Sequence, residues 1–206
     1  MCTKLDNQID PENTFKTFDF IEKTVTIGEE ITPDTAAEVI KTIRFWNSVD
    51  YGTEIEERDP IVIFINTNGG DLNATLSIIA AIKLSKTPVY TVNLGTALSG
   101  GFLILISGHM RFTVPYASYL FHEGANGVVG DAHKVLQQAD YYKEQLLNIK
   151  EIVLSNTQIT QELYEKHRKD DWWFGNETAI KYKVIDKVIN NFNFIEEDFQ
   201  RKEDYE

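Results

Sequence analysis

The sequence predicts an α/β layered fold on a largely parallel sheet, and three observations carry that reading. Strand-like and helix-like runs alternate along the first half of the chain, so crossover helices join strands that lie parallel. The strand-like runs are continuously apolar and rich in β-branched residues, as strands covered on both faces are. Glycine-rich turns follow two of them at the carboxyl end, where open α/β sheets bind their ligands. The chain has 206 residues, 42% hydrophobic and 25% charged, which suits one large domain.

Each element follows from its residues. A polar arm, residues 1–20, precedes a short strand at Thr24–Ile27. Thr32, Pro33 and Asp34 then supply an N-cap, a proline at the first helical position and an acid in the first turn. Ala36, Val39, Ile40 and Ile43 continue at helical spacing to about Trp46, and residues 47–60 read as a polar loop. The run Ile-Val-Ile-Phe-Ile at 61–65 is a central strand and Asn-Thr-Asn-Gly-Gly at 66–70 a turn. Leu72, Leu76, Ile79 and Ala80 carry a second helix to about Leu84. A third buried strand, 88–94, leads through a glycine turn at 95–101 into an apolar helix from Phe102 to Ile106. Short strands are expected at 111–114, Ser118–Phe121 and 127–129. A helix of about 25 residues, Ala132–Asn156, sets Val135, Leu136, Ala139, Tyr142, Leu146, Ile149 and Val153 along one side. It is long for one domain. With Tyr141, Leu147 and Ile152 it also has more apolar positions than one packing face uses, so it is expected to project and to pack on another subunit. An acidic tail, 191–206, closes the chain.

Composition excludes several classes of function. The net charge is −12 and no Lys/Arg cluster interleaves with aromatics, so nucleic acid is not an expected partner. No apolar stretch reaches the roughly 18 residues of a membrane span, and the first twenty residues have no apolar signal core. A single cysteine, Cys2, allows no internal disulfide and no cysteine-based zinc site. The expected setting is cytoplasmic, with no metal and no cofactor.

One hydroxyl stands out. Ser99 lies between a buried strand and a buried helix, bracketed by Gly95, Gly100 and Gly101. Either it caps the helix or the turn presents its oxygen to a substrate. Backbone N–H groups at a helix start stabilise an oxyanion, Gly100 admits close approach to the backbone, and the Gly69-Gly70 turn beside it could give a second donor. A hydroxyl nucleophile beside two N–H groups is the arrangement of acyl transfer. His122, closing the strand Ser118–Phe121, is the best base, while His109, His133 and His167 are expected to be inert. The orienting acid falls on Asp170-Asp171, before Trp172-Trp173-Phe174, aromatics expected to desolvate it in part. The α/β-hydrolase elbow is excluded because Ala97 replaces its first glycine and the order here is Ser, His, Asp. No P-loop, dinucleotide fingerprint or H-E-x-x-H motif is present.

Four stretches, "FINTNGGDLNATLSIIAAI", "GTALSGGFLILISG", "RFTVPYASYLFHEG" and "DDWWFGNETAIKYKVIDKVI", resemble the ClpP family, the proteolytic subunits of the Clp protease, in that family's order. The resemblance spans about residues 25–189. It implies an α/β, crotonase-like fold of repeated β-β-α units, with a peptidase domain over 21–190 and a projecting handle over 126–156. It implies a serine endopeptidase with Ser99 as nucleophile, His122 as general base, Asp171 rather than Asp170 as orienting acid, and Gly70 and Gly100 as oxyanion-hole donors. Peptide substrates would pair as an added strand beside 126–130, inside a homo-oligomer of stacked heptameric rings served by a hexameric Clp-type ATPase. The alternatives are an inactive ring-forming homologue and a crotonase-fold acyl-CoA enzyme. Asn68 stands where the family has proline, Gly100 where it has methionine, and Glu123-Gly124 where it has Gln-Pro. An acid beside His122 either raises the histidine's pKa or turns outward. Val62 and Phe64 fall where the family has docking-pocket aromatics. Because an imidazole base must be neutral and free histidine titrates near ~6.5, kcat/KM of peptide hydrolysis is expected to fall on the acid side around pH 6–7. A profile flat to about pH 4.5 excludes a histidine base.

Overall fold

The computed structural model describes residues 19, 21–124, 127 and 129–194 of the chain. Its sheet has strands β1 (Thr24–Ile27), β2 (Ile61–Thr67), β3 (Val89–Leu98), β4 (Met110–Thr113), β5 (Ser118–Phe121), β6 (Trp172–Gly175) and β7 (Lys187–Val188). The order β1-β2-β3-β4-β7 is parallel throughout, whereas β5 pairs parallel with β3 and carries β6 antiparallel on its other side. Helices α1 (Pro33–Val49), α2 (Leu72–Leu84) and α3 (Gly100–Leu105) make the three crossovers. They are followed by α4 (Ala132–Asn156), α5 (Gln161–His167) and α6 (Asn176–Lys181).

The continuous apolar pattern of β2 is explained by its two covered faces. Ile61, Ile63 and Ile65 enter the main core with Val39, Ile43, Ile78 and Ile82 of the helices. Val62, of opposite alternation, is fully buried in a second cluster with Tyr90, Val92, Phe112, Ile189 and Phe194, and Phe64 packs against its edge. Helix α1 begins as its residues dictate, with the Thr32 hydroxyl accepting from the Thr35 amide. It runs three residues past its expected end because Asn47 is pinned: its amide donates to Ser85 Oγ (2.7 Å) and its carbonyl accepts the Lys86 and Thr87 amides. A 3-10 turn at Ile55–Glu57 interrupts the polar loop, and Ala80, expected to face the core, is exposed on α2.

The largest departure is at 95–101. The turn is confined to Ser99: β3 runs through Gly95 to Leu98 and α3 starts at Gly100. The β2–β3 register slips between Ile65↔Asn93 and Thr67↔Ala97. Asn side chains take up the hydrogen bonds this displaces. Asn66 Oδ1 accepts from Thr96 N and Oγ1 (3.1 and 3.0 Å), and Asn93 Oδ1 accepts from Gly95 N (3.0 Å). A Cβ on Gly95 would lie 3.0 Å from Asn66 Oδ1, so glycine serves close approach here and not a reversal. As a result β3 changes partner: Tyr90–Asn93 pair with β4, and Thr96–Leu98 with β5.

Helix α4 has the expected bounds, with the Asp131 carboxylate capping Lys134 N. Only Ile149, Ile152 and Val153 of its apolar residues are buried in the chain, while Leu136, Tyr141 and Leu147 are exposed. Trp172-Trp173-Phe174, the aromatics after Asp171, lie in strand β6, with Phe174 stacked on Tyr119. Gly127 and Val129 are not strand. Val128, the Asn126 start of the handle, the arm 1–20 apart from Asp19, and the tail from 195 lie outside the described residues.

Candidate active site

Ser99 follows β3 directly, and its backbone is held at φ 53°, ψ −116°. That region costs a non-glycine residue on the order of 1–3 kcal/mol and persists only where the surroundings impose it. Here Ser99 N donates to Leu120 O (3.0 Å) and Ser99 O accepts the Leu103 amide (3.2 Å), which ties the turn to β5 on one side and α3 on the other. The hydroxyl makes no cap bond to α3. It is turned instead to His122, whose Nε2 lies 2.8 Å from Ser99 Oγ.

His122 reaches it because Leu98 and Leu120 are register partners. The imidazole's other nitrogen, Nδ1, lies 2.9 Å from Asp171 Oδ1. A carboxylate can only accept, so Nδ1 carries the proton and donates to Asp171, leaving Nε2 to accept from the serine hydroxyl. One tautomer satisfies the whole chain of bonds. Asp170 does not take part in it. The expectation of a desolvated acid is corrected: the Asp171 side chain is 61% exposed, because alternation along β6 turns Trp172 and Phe174 toward the core and Asp171 precedes the strand.

Gly70 and Gly100 both line a cleft of about 350 Å³ that Ser99 and His122 share. Gly70 stands in a short bridge to Ile31, where Ile31 N donates to Gly69 O (2.9 Å) and Asp71 N to Ile31 O (2.8 Å). Successive amides of an extended segment alternate in direction, so Gly70's own N–H faces away from Ile31. Glycine is required at this place, since its φ is +156° and a Cβ would lie 2.3 Å from Ile31 O. At Gly69 a Cβ would press on Ser99 Cβ at 2.8 Å, so the second turn lies against Ser99. At Gly100 the space is taken by Thr75, whose Oγ1 would be 2.5 Å from a Cβ. Among the described residues, neither the Gly70 nor the Gly100 amide donates to another group of the chain.

Several participants have no signal in the sequence. Tyr141 spans the cleft to Asn73 (3.4 Å), and Tyr142 donates to the backbone carbonyl of Glu123 (2.9 Å). Spacing assigns both only to a helix face. Burial and the nearby Glu123 charge hold the Tyr142 phenol above its usual range. The Glu123 side chain does not turn outward: it accepts from Tyr164 Oη (2.8 Å) and Arg168 Nη1 (2.9 Å), partners more than forty residues distant in sequence. The remaining histidines stay apart from the site. His109 Nδ1 accepts the Val89 amide, and His167 stacks on Trp172, where burial pushes its pKa down. Among the described residues no three His, Cys, Asp or Glu side chains gather as metal ligands, and no helix is long and apolar enough to cross a membrane.

A family model for Clp protease matches residues 11–192. The chain is 33% identical to the ATP-dependent Clp protease proteolytic subunit 2 of Chlamydia trachomatis, over 82% of each chain. It is 28% identical to the protein of the same name from Borreliella burgdorferi, over 85% of this chain and 86% of that one. With its counterpart from Treponema denticola it shares 25% identity, over 81% and 82%.

Proposed function

The chain belongs to the Clp protease family and is a ClpP-type serine peptidase with that family's α/β, crotonase-like fold, and proceeding from that we propose that Ser99, His122 and Asp171 are its catalytic triad. The observation that carries the assignment is the unbroken run of hydrogen bonds, 2.8 and 2.9 Å, from Ser99 through His122 to Asp171. Ser99 Oγ attacks the scissile carbonyl as His122 Nε2 takes its proton, and the imidazolium then protonates the leaving amine. Asp171 holds the Nδ1–H tautomer and stabilises the cation. The Gly70 and Gly100 amides receive the tetrahedral oxyanion, a role that needs donors with no bond of their own.

The same reading takes 21–190 as the peptidase domain, 126–156 as its handle, and 1–20 and 191–206 as an arm and a tail. Copies of the chain associate through α4, and a Clp ATPase supplies unfolded substrate. In finer detail, the assembly is stacked heptameric rings enclosing a chamber in the cytoplasm, with a hexameric ATPase docked at the sheet face that Phe64 edges. Val62 lies beneath that face and does not form its surface. Short or unfolded peptides are cleaved in the chamber.

Exchange of the two neighbouring acids tests the triad. Asp171→Asn is expected to lower kcat by about 10⁴-fold, because an amide no longer selects the productive tautomer. Asp170→Asn is expected to stay within about two-fold of wild type, as surface changes away from the chemistry do. The reverse ranking, in steady-state peptide hydrolysis, moves the acid to Asp170; no loss in either variant removes the triad.

A further inference from the structure

His122 and Asp171 sit on two segments that are tied on both sides of the pair. On one side Phe121 and Trp172 are register partners in the β5–β6 ladder. On the other, Glu123 N donates to Arg168 O (3.1 Å), and the Glu123 carboxylate accepts from Arg168 Nη1 (2.9 Å) and from Tyr164 Oη (2.8 Å). The histidine and the aspartate lie between these two ties. Among the described residues, the Asp171 carboxylate has no partner besides His122, and it is open to solvent. Its place is therefore set by the backbone of residues 168–171 and not by packing around it.

We infer that the Glu123–Arg168 ion pair is a positioning clamp that holds Asp171 in register with His122. The pair is built for rigidity. The Glu123 side chain is 12% exposed and bonded at both oxygens. Arg168 is fixed by three further bonds: its amide donates to Tyr164 O (2.8 Å), its carbonyl accepts from Glu123, and its Nε meets Glu165 (2.6 Å), itself paired with Lys150. Glu123 holds the Arg168 guanidinium still more firmly protonated, and burial with the Glu123 contact keeps Tyr164 a neutral donor well above its usual range. A displacement of about 1 Å in a catalytic constellation costs roughly 10²-fold in rate, so a tie three residues from Asp171 acts on turnover. Neither Glu123 nor Arg168 touches the reacting atoms. Their effect runs through Asp171.

The inference rests on Asp171 as the triad acid, and the test separates the two. Glu123→Gln keeps an acceptor for Tyr164 but loses the charge, and Arg168→Gln loses it from the other side. In assembled protein of unchanged melting temperature, each is expected to lower kcat by about 10- to 100-fold with KM changed less than about two-fold. Arg168→Lys, which keeps the charge without the planar fork, is expected to fall between these variants and wild type. In an Asp171→Asn background, Glu123→Gln is expected to change kcat by less than about two-fold, because coupled groups are not additive. Wild-type kcat in both Gln variants overturns the clamp, as does a loss confined to KM or an equal loss with and without Asp171. An impaired Asp171→Asn enzyme beside an unaffected Glu123→Gln enzyme removes the clamp alone. Full activity of Asp171→Asn removes the triad acid and the clamp together. If Glu123→Gln does not fold, the more exposed Arg168→Gln carries the same comparison.

Discussion

Replacement of Ser99 by alanine is expected to lower peptide hydrolysis by about 10⁴-fold or more while leaving the fold and the assembly intact. The change removes one oxygen whose hydrogen bond goes to His122 and which caps nothing. The strained backbone at φ 53° keeps its ties to Leu120 and Leu103, which are main-chain bonds that alanine also makes. Melting temperature and sedimentation should match wild type. A fluorophosphonate probe should label the wild-type chain at Ser99 and leave the variant unlabelled. Turnover near the wild-type rate in Ser99→Ala removes the proposed mechanism.

The second large effect concerns α4. Ile149 is 2% exposed within the chain itself. Ile149→Asp therefore places a carboxylate in the chain's own core and is expected to unfold it, at a cost on the order of 4 kcal/mol or more. Leu146 is partly packed against the same core. The residues left for a partner are Leu136 (64% exposed), Tyr141 (52%) and Leu147 (67%). Leu136→Asp and Leu147→Asp are expected to separate the copies without unfolding them, since an aspartate there is solvated in the free chain and buried only in the assembly. Activity should be lost in the same step. Tyr142 of α4 donates to the carbonyl of Glu123 (2.9 Å), the residue after His122, and Tyr141 spans the cleft, so a helix released from its partner is expected to disturb the site directly. Sedimentation and a peptide assay on one preparation decide between outcomes. A native protein that runs at its 23.6 kDa chain mass with full activity defeats the oligomer-dependent reading.

Much of the fold was legible because its signals are local. A threonine, a proline and an acid at 32–34 mark a helix start whatever lies elsewhere, and five apolar residues at 61–65 need two covered faces. Twenty-five residues at one helical period gave α4 its bounds. The site was legible to the extent that its chemistry depends on residue type: a serine beside glycines, a histidine at a strand end and an acid further on. What failed were statements about surroundings. The extent of the turn at 95–101 and the desolvation of Asp171 each depended on neighbours distant in sequence.

The sequence by itself therefore determined the kind of elements, their order, and the residue types able to perform acyl transfer. Whether those residues meet was decided by the tertiary structure. The decisive event is the change of partner along β3: because two extra residues slip into its register beside β2, its far end pairs with β5 instead of β4. That pairing sets Leu98 beside Leu120, and hence Ser99 within 2.8 Å of His122. The β5–β6 ladder and the Arg168 contact then bring Asp171 alongside. Local propensity cannot encode such distances. A hydrogen bond forms or is lost over a few tenths of an ångström, and that precision arises only when ladders and a packed core fix many residues at once.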